Sequence, residues 1–174
     1  MYKFLTHWRV KSTIEEVSEI LDDPLQLPRW WPSVYLEVRE RDPGDPKTHV
    51  GRTIDLYTKG WLPYTLRWWF VVTTSNSPHG FELAAKGDFI GTGIWTLKQD
   101  GQYADITYDW QIAVNKPLLR YGTPLLKPIF AANHRWAMAR GLESLELELR
   151  RRRAKTEDER KAIPAPPGAT FKRR

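Results

Sequence analysis

Hydrophobic positions in the first ten residues recur at period two: Tyr2, Phe4, Trp8 and Val10 share one parity, with Lys3, His7 and Arg9 on the other. That alternation predicts a half-buried strand. The period then lengthens. Ser12-Thr13-Ile14-Glu15 reads as a capping box, a hydroxyl N-cap with a glutamate three residues on, and Ile14, Val17, Ile20 and Leu21 follow at helical spacing until Asp22-Asp23-Pro24 stops the run. A second short helix is predicted over residues 25–31, closed by Pro32. Beyond it the period returns to two. Val34, Leu36 and Val38 alternate with Tyr35, Glu37 and Arg39, and the turn-rich Asp42-Pro43-Gly44-Asp45-Pro46 ends that strand. Further strands are predicted over 52–58, 64–75, 80–86, 89–98 and 103–114, separated by turn signals at Asn76-Ser77-Pro78-His79-Gly80, Gly87-Asp88 and Asp100-Gly101. Strands in succession with short turns make an antiparallel meander.

Residues 115–128 carry three prolines and a glycine and read as a loop or an interrupted helix start. A long helix is predicted over 129–153. Phe130, His134, Ala137, Met138, Gly141, Leu142, Leu145 and Leu149 form its apolar stripe, with Glu143, Glu146 and Glu148 on other faces. Arg150 to Arg153 suit its C-terminal end, where the macrodipole favours cations. Past Ala154 the chain turns to Glu, Lys and Arg and then Pro-Ala-Pro-Pro-Gly, a composition that predicts a disordered tail over 154–174.

Length and charge sharpen this picture. The 174 residues suit one domain, here 1–153, followed by the tail. The net charge of +6 is unevenly placed: residues 1–149 hold 17 Lys and Arg against 18 Asp and Glu, whereas 150–174 hold 10 against 3. A near-neutral body argues against a nucleic-acid-binding domain, and no specific nucleic-acid partner is expected. The basic tail suits weak contact with an anionic membrane, or acts as a solubilising end. The absence of cysteine excludes disulfides, thiolate metal sites and cysteine nucleophiles, and fits a reducing, cytoplasmic setting. No apolar run approaches the ~20 residues of a membrane span, and Lys3, His7, Arg9 and Lys11 interrupt any signal-type apolar start.

Candidate chemistry is sparse. His7, His49, His79 and His134 are scattered, none with a partner at metal-ligand spacing, so no metal is expected. No Gly-x-Ser-x-Gly elbow occurs. Gly91-Thr92-Gly93 is followed by the strand residues Ile94-Trp95-Thr96-Leu97 instead of a helix, so it reads as close backbone approach, not a phosphate loop, and no cofactor is expected.

Asp23-Pro24 with Trp30-Trp31-Pro32, Gly51 opening a strand, Gly93-Ile94-Trp95, and the run Asn133-His134-Arg135-Trp136-Ala137-Met138-Ala139-Arg140-Gly141 resemble the SRPBCC, or START-like helix-grip, superfamily. Within it they resemble the bacterial polyketide cyclase/dehydrase-like branch. The resemblance covers residues 1–153. It implies an α+β helix-grip fold: about seven antiparallel strands curved around a long C-terminal helix, two short helices after strand 1, and an apolar cavity beneath the long helix. The inward parities Leu66, Trp68, Phe70, Val72 and Ile106, Tyr108, Trp110, Ile112, Val114 agree with that picture. The expected ligand-binding set is Leu56, Trp68, Phe70, Leu83, Trp95, Tyr108, Trp110, Phe130, His134 and Met138, with His134 and Tyr108 as polar anchors. Arg67 and Asp55 are expected on the solvated parity, and Trp61 in a loop is assigned no role.

Three functions remain open at this level. The first is binding or carriage of a small hydrophobic molecule such as a lipid, polyketide or quinone-like compound. The second, which the resemblance permits, is a polyketide aromatase/cyclase or dehydratase in which His134 or Tyr108 moves the proton. The third is a tail-driven adaptor on anionic membrane or RNA. A ligand would enter through 115–128 or past the short helices.

Overall fold

The computed structural model describes residues 1–114 and 123–170. β1 (Tyr2–Val10) leads into α1 (Ile14–Leu21), a 3₁₀ turn at Pro24–Gln26 and α2 (Leu27–Trp30). The meander follows: β2 (Tyr35–Asp42), β3 (Thr53–Lys59), β4 (Thr65–Ser75), β5 (Gly80–Gly87), β6 (Phe89–Asp100) and β7 (Tyr103–Val114). α3 (Thr123–Arg153) and α4 (Glu157–Lys161) end the described chain. All seven strands form one antiparallel sheet in the order β1-β7-β6-β5-β4-β3-β2, so β1 closes against the last strand, with Tyr2 opposite Ile112 and Val10 opposite Ala104. Register shifts in β2 and between Val72 and Thr74 mark irregularities of the kind that bend a sheet. α3 packs against β1 and α2. The α+β helix-grip architecture is as expected, and among the described residues no helix is long and apolar enough to cross a membrane.

Local details differ from the expectation in instructive ways. The N-cap of α1 is Thr13, not Ser12, and its capping box closes with Glu16, not Glu15. Glu16 is the carboxylate that also receives Arg153 from the far end of α3, at 2.7 and 2.8 Å, while the Ser12 hydroxyl donates to it at 2.8 Å. Arg153 foremost, opposed by burial and aided by Ser12 and the Thr13 amide, holds the Glu16 carboxyl near pKa 2. In β2 a shift between Tyr35 and Glu37 interrupts the expected alternation: Tyr35 pairs with buried Thr58, and Glu37 with outward Tyr57, while Val38 keeps its expected side. The inward residues are therefore Tyr35 and Val38.

The long helix starts at Thr123, before the expected residue 129, and contains Pro128. The expected loop over 115–122 lies outside the described residues. Glu148, expected off the apolar stripe, is 2% exposed. It is gripped by Arg29 through two hydrogen bonds of 2.9 and 2.6 Å and by Arg152 at 3.0 Å. Burial alone would raise the Glu148 pKa; these two guanidinium groups outweigh it and lower the value.

The stretch for which composition predicts disorder carries a turn of helix. α4 is set by a capping box between Thr156 and Glu159, satisfying locally the amides that a polar segment cannot bury. Arg151 then donates to the Pro164 carbonyl, and the Thr170 hydroxyl reaches the Gly60 carbonyl at 3.5 Å. Part of the basic run is tied up within the protein, since Arg152 pairs with Glu148 and Glu19 and Arg153 with Glu16.

Candidate functional site

The inward parities of the strands converge beneath α3. Leu66, Trp68, Phe70 and Val72 on β4, and Ile106, Tyr108, Trp110 and Ile112 on β7, are all buried. The opposite parity carries solvated chemistry. Asp55 pairs with Arg41, and the Arg67 guanidinium lies 4.2 Å from the Tyr57 ring centre, both on the outer face. Trp61 sits in the β3–β4 loop, partly exposed.

Two partly enclosed chambers lie inside the curve of the sheet, the larger of them against α3. The larger has a volume of about 120 Å³ and is walled by apolar side chains of β1, β4, β6, β7 and α3, including Phe4, Leu66, Phe89 and Phe130. The smaller, about 70 Å³, lies toward α1 and the 3₁₀ turn, between Leu21, Leu27, Phe70, Val72 and Phe81. Trp31, Tyr35, Trp68 and Tyr108 belong to both linings and form the partition. This wall is packed ring on ring: Tyr108 stacks on Trp95 at 4.1 Å, Trp31 meets Tyr35 edge-on at 5.2 Å, and Trp68 lies 5.6 Å from Trp110.

Of the residues expected to bind a ligand, Trp68, Tyr108, Trp110, Phe130, His134 and Met138 line the larger chamber. Trp68, Phe70, Leu83, Trp95 and Tyr108 line the smaller one. Leu56 lines neither; it is buried between its strand partners Val38 and Trp68. Sequence reasoning missed Tyr2, Phe4, Trp31, Tyr35, Thr58, Lys59, Tyr64 and Asn133. Tyr2 and Phe4 were visible as the inward parity of β1. Lys59 gave no signal, because a charged strand end looks like a solvated position, and Asn133 entered only as the first residue of the resembling run in the long helix.

Two glycines make room for the wall. A Cβ on Gly93 would press on the Tyr108 hydroxyl and the Trp110 ring, and a Cβ on Gly141 would overlap the Trp31 ring. Trp31 is boxed in by Trp8, Trp30 and Tyr35, so its open directions are the chambers. Gly141→Ala is therefore expected to push the indole into ligand space. Overpacking costs about 1–3 kcal/mol and the helix-propensity gain offsets about 1 kcal/mol, leaving a net loss of up to about 2 kcal/mol. Urea denaturation measures that loss, and reduced uptake of an apolar probe reports the occluded chamber.

His134 stacks on Phe4, with ring centres 4.2 Å apart, and its Nε2 lies 3.4 Å from the Thr6 hydroxyl. Burial, with a smaller contribution from the charge of Arg135, pushes its pKa down to about 4. At neutral pH the ring is uncharged, suited to exchanging hydrogen bonds and poorly suited to holding an anion. Burial raises the Tyr108 phenol well above its usual range, and it pushes Tyr64 up to about 12. These two phenols stay protonated. Among the described residues no cluster of three metal-ligating side chains occurs.

Comparison with known proteins found no matching family model and no matching curated relative. Solved structures do match. A protein of Thermus thermophilus superposes with a TM-score of 0.70 at 11% identity, over 88% of this chain and 100% of that one. The Zhui aromatase/cyclase of a Streptomyces species gives 0.65 at 16% identity, over 88% and 96%. A STAR-related lipid transfer protein of Xanthomonas axonopodis gives 0.54 at 15% identity, over 85% of each chain. This chain has the helix-grip fold. At these identities the likeness carries the fold, and the chemistry of the helix-grip cavity has to be read from its own lining.

Proposed function

We propose that this helix-grip protein binds a small hydrophobic molecule in the larger chamber. The observation that supports this reading is an apolar, aromatic-walled space retained under α3 where a core would otherwise close. Its size narrows the ligand. An apolar cavity of about 150 Å³ takes up benzene, so a chamber of about 120 Å³ suits one ring or a short aliphatic segment. A fused polycyclic product needs the Trp31–Tyr35–Trp68–Tyr108 partition to move, which ranks the cyclase or dehydratase reading below simple binding. His134 and Tyr108 then act as hydrogen-bonding anchors for a ligand's polar end.

Titration with toluene, followed by ¹H–¹⁵N NMR and thermal unfolding, tests this. Saturable shifts at Phe4, Tyr64, His134 and Met138 are expected, with stabilisation of about 2.7 kcal/mol when the probe reaches about 100 times its Kd. An unchanged spectrum and melting curve would refute the reading. Native mass spectrometry of the purified protein, with extraction of anything released, would name the natural ligand class.

A further inference from the structure

The C-terminal segment folds back over the long helix. After α4 the Ile163 amide donates to the Arg160 carbonyl at 3.3 Å, and Arg151 of α3 donates to the Pro164 carbonyl. Pro164 and Ala165 then share a surface groove with Glu143, Leu147 and Arg150 of α3 and with Val10 of β1. Ile163, Pro166, Pro167 and Ala169 are half-buried, although their composition predicts a solvated tail. The described part of the segment ends at Thr170, whose hydroxyl reaches the Gly60 carbonyl at 3.5 Å.

Gly60 opens the β3–β4 loop, which stands between the larger chamber and solvent. Gly60 and Tyr64 line the chamber, whereas Trp61 and Pro63 between them are exposed. On its α3 side the loop is tied by Asn133, whose Oδ1 accepts the amides of Trp61 at 2.9 Å and Leu62 at 3.3 Å. Thr170 ties it from the C-terminal segment. Little slack is left in that segment. Glu143 to Asn133 is about 15 Å along α3 at about 1.5 Å per residue, and Ala165 to Thr170 spans about 16 Å when extended at about 3.1 Å per residue. Pro166 and Pro167 fix φ in this stretch, which reduces the entropy it loses on docking.

We propose that residues 163–170 form a strap that holds the β3–β4 loop against α3 and thereby sets the rate at which the larger chamber exchanges its contents. The inference rests on that chamber being a ligand site and adds a control on entry and release. A loop that opens locally does so against the contacts that close it, and here those include the strap. No described residue of the strap lines the chamber. The strap therefore favours the closed loop equally whether the chamber is empty or filled. Association and dissociation slow together, and affinity is unchanged.

Amide hydrogen exchange and toluene exchange, both followed by NMR on the full-length protein, test the proposal. Thr170→Val removes the tie to Gly60, and Pro166→Gly combined with Pro167→Gly slackens the strap. In Thr170→Val the Trp61 and Leu62 amides are expected to exchange about two- to tenfold faster, the effect of losing one hydrogen bond. In the double variant the increase is about fourfold or more. Toluene association and dissociation rise by the same factor, with Kd kept within about twofold. The amide of Ile106, paired with Trp8 on one side and Leu97 on the other, keeps its wild-type protection, which shows that both variants fold. Loop amides unchanged in both variants overturn the strap. A change in Kd carried by dissociation alone overturns its role in rate and makes the segment part of the binding site. If toluene does not bind the wild type, the ligand reading and the role in exchange fall together, while the loop amides still decide whether the strap holds the loop.

Discussion

Trp68→Ala is expected to lower the stability of the fold by about 3–5 kcal/mol and to join the two chambers into one. Trp68 lines both, touches the rings of Phe70, Phe89 and Trp110, and donates its indole N–H to the Thr58 hydroxyl at 2.9 Å. Truncation removes a large buried surface, and it leaves Thr58, itself buried, without that partner, a further cost of about 1 kcal/mol. Urea denaturation gives the first readout. The second is ligand size: naphthalene, too large for the wild-type chamber, should bind the variant. A loss below about 1 kcal/mol, or no change in accepted size, would show that the partition collapses or was never held by this ring.

Acid should destabilise the protein well above the pH at which its carboxylates titrate. His134 has a folded pKa of about 4, against about 6.5 in an unfolded chain. The unfolded state therefore binds the extra proton first, and stability falls as pH drops from about 6.5 toward 4. For a group that is only half-buried the loss between about pH 7 and pH 5 is about 1–2 kcal/mol. Glu16, held near 2, contributes in a lower window, below about pH 4.5, where protonation costs its bond to Arg153. The two are separable by comparing urea midpoints at pH 7 and pH 5 in the wild type and in His134→Gln. The variant should lose most of the difference. A wild type whose midpoint is the same at both pH values would mean that the imidazole is charged, or solvated, in the folded protein.

Most of the fold is legible because period-two and period-3.6 patterns report burial directly. β7 runs over the residues its alternation indicates, and β4, β5 and β6 depart from expectation only at their ends. The departures have local causes. Thr13 displaces Ser12 as cap because the carboxylate that must face it is Glu16, which is also the one Arg153 reaches. A bulge at Leu36 turns Tyr35 inward, and one extra residue in a strand leaves no mark on composition. Glu148 looks solvated on a helical wheel. It is buried because Arg29, more than a hundred positions earlier, comes to lie over it.

The order and type of elements, the antiparallel meander, the long final helix and the inward aromatics all follow from patterning over a few neighbouring residues. Tertiary structure alone decided what the aromatics do. Whether Trp31, Tyr35, Trp68 and Tyr108 fill a core or divide a cavity depends on how side chains from the end of α2 and from β2, β4 and β7 meet in space. The same holds at Lys59, Asn133 and Tyr2, three residues from three elements whose shared chamber is set by the closure of the sheet around α3. Chemistry assembled from distant segments has no local pattern, which is why the fold was readable in advance and the full lining of the chamber was not.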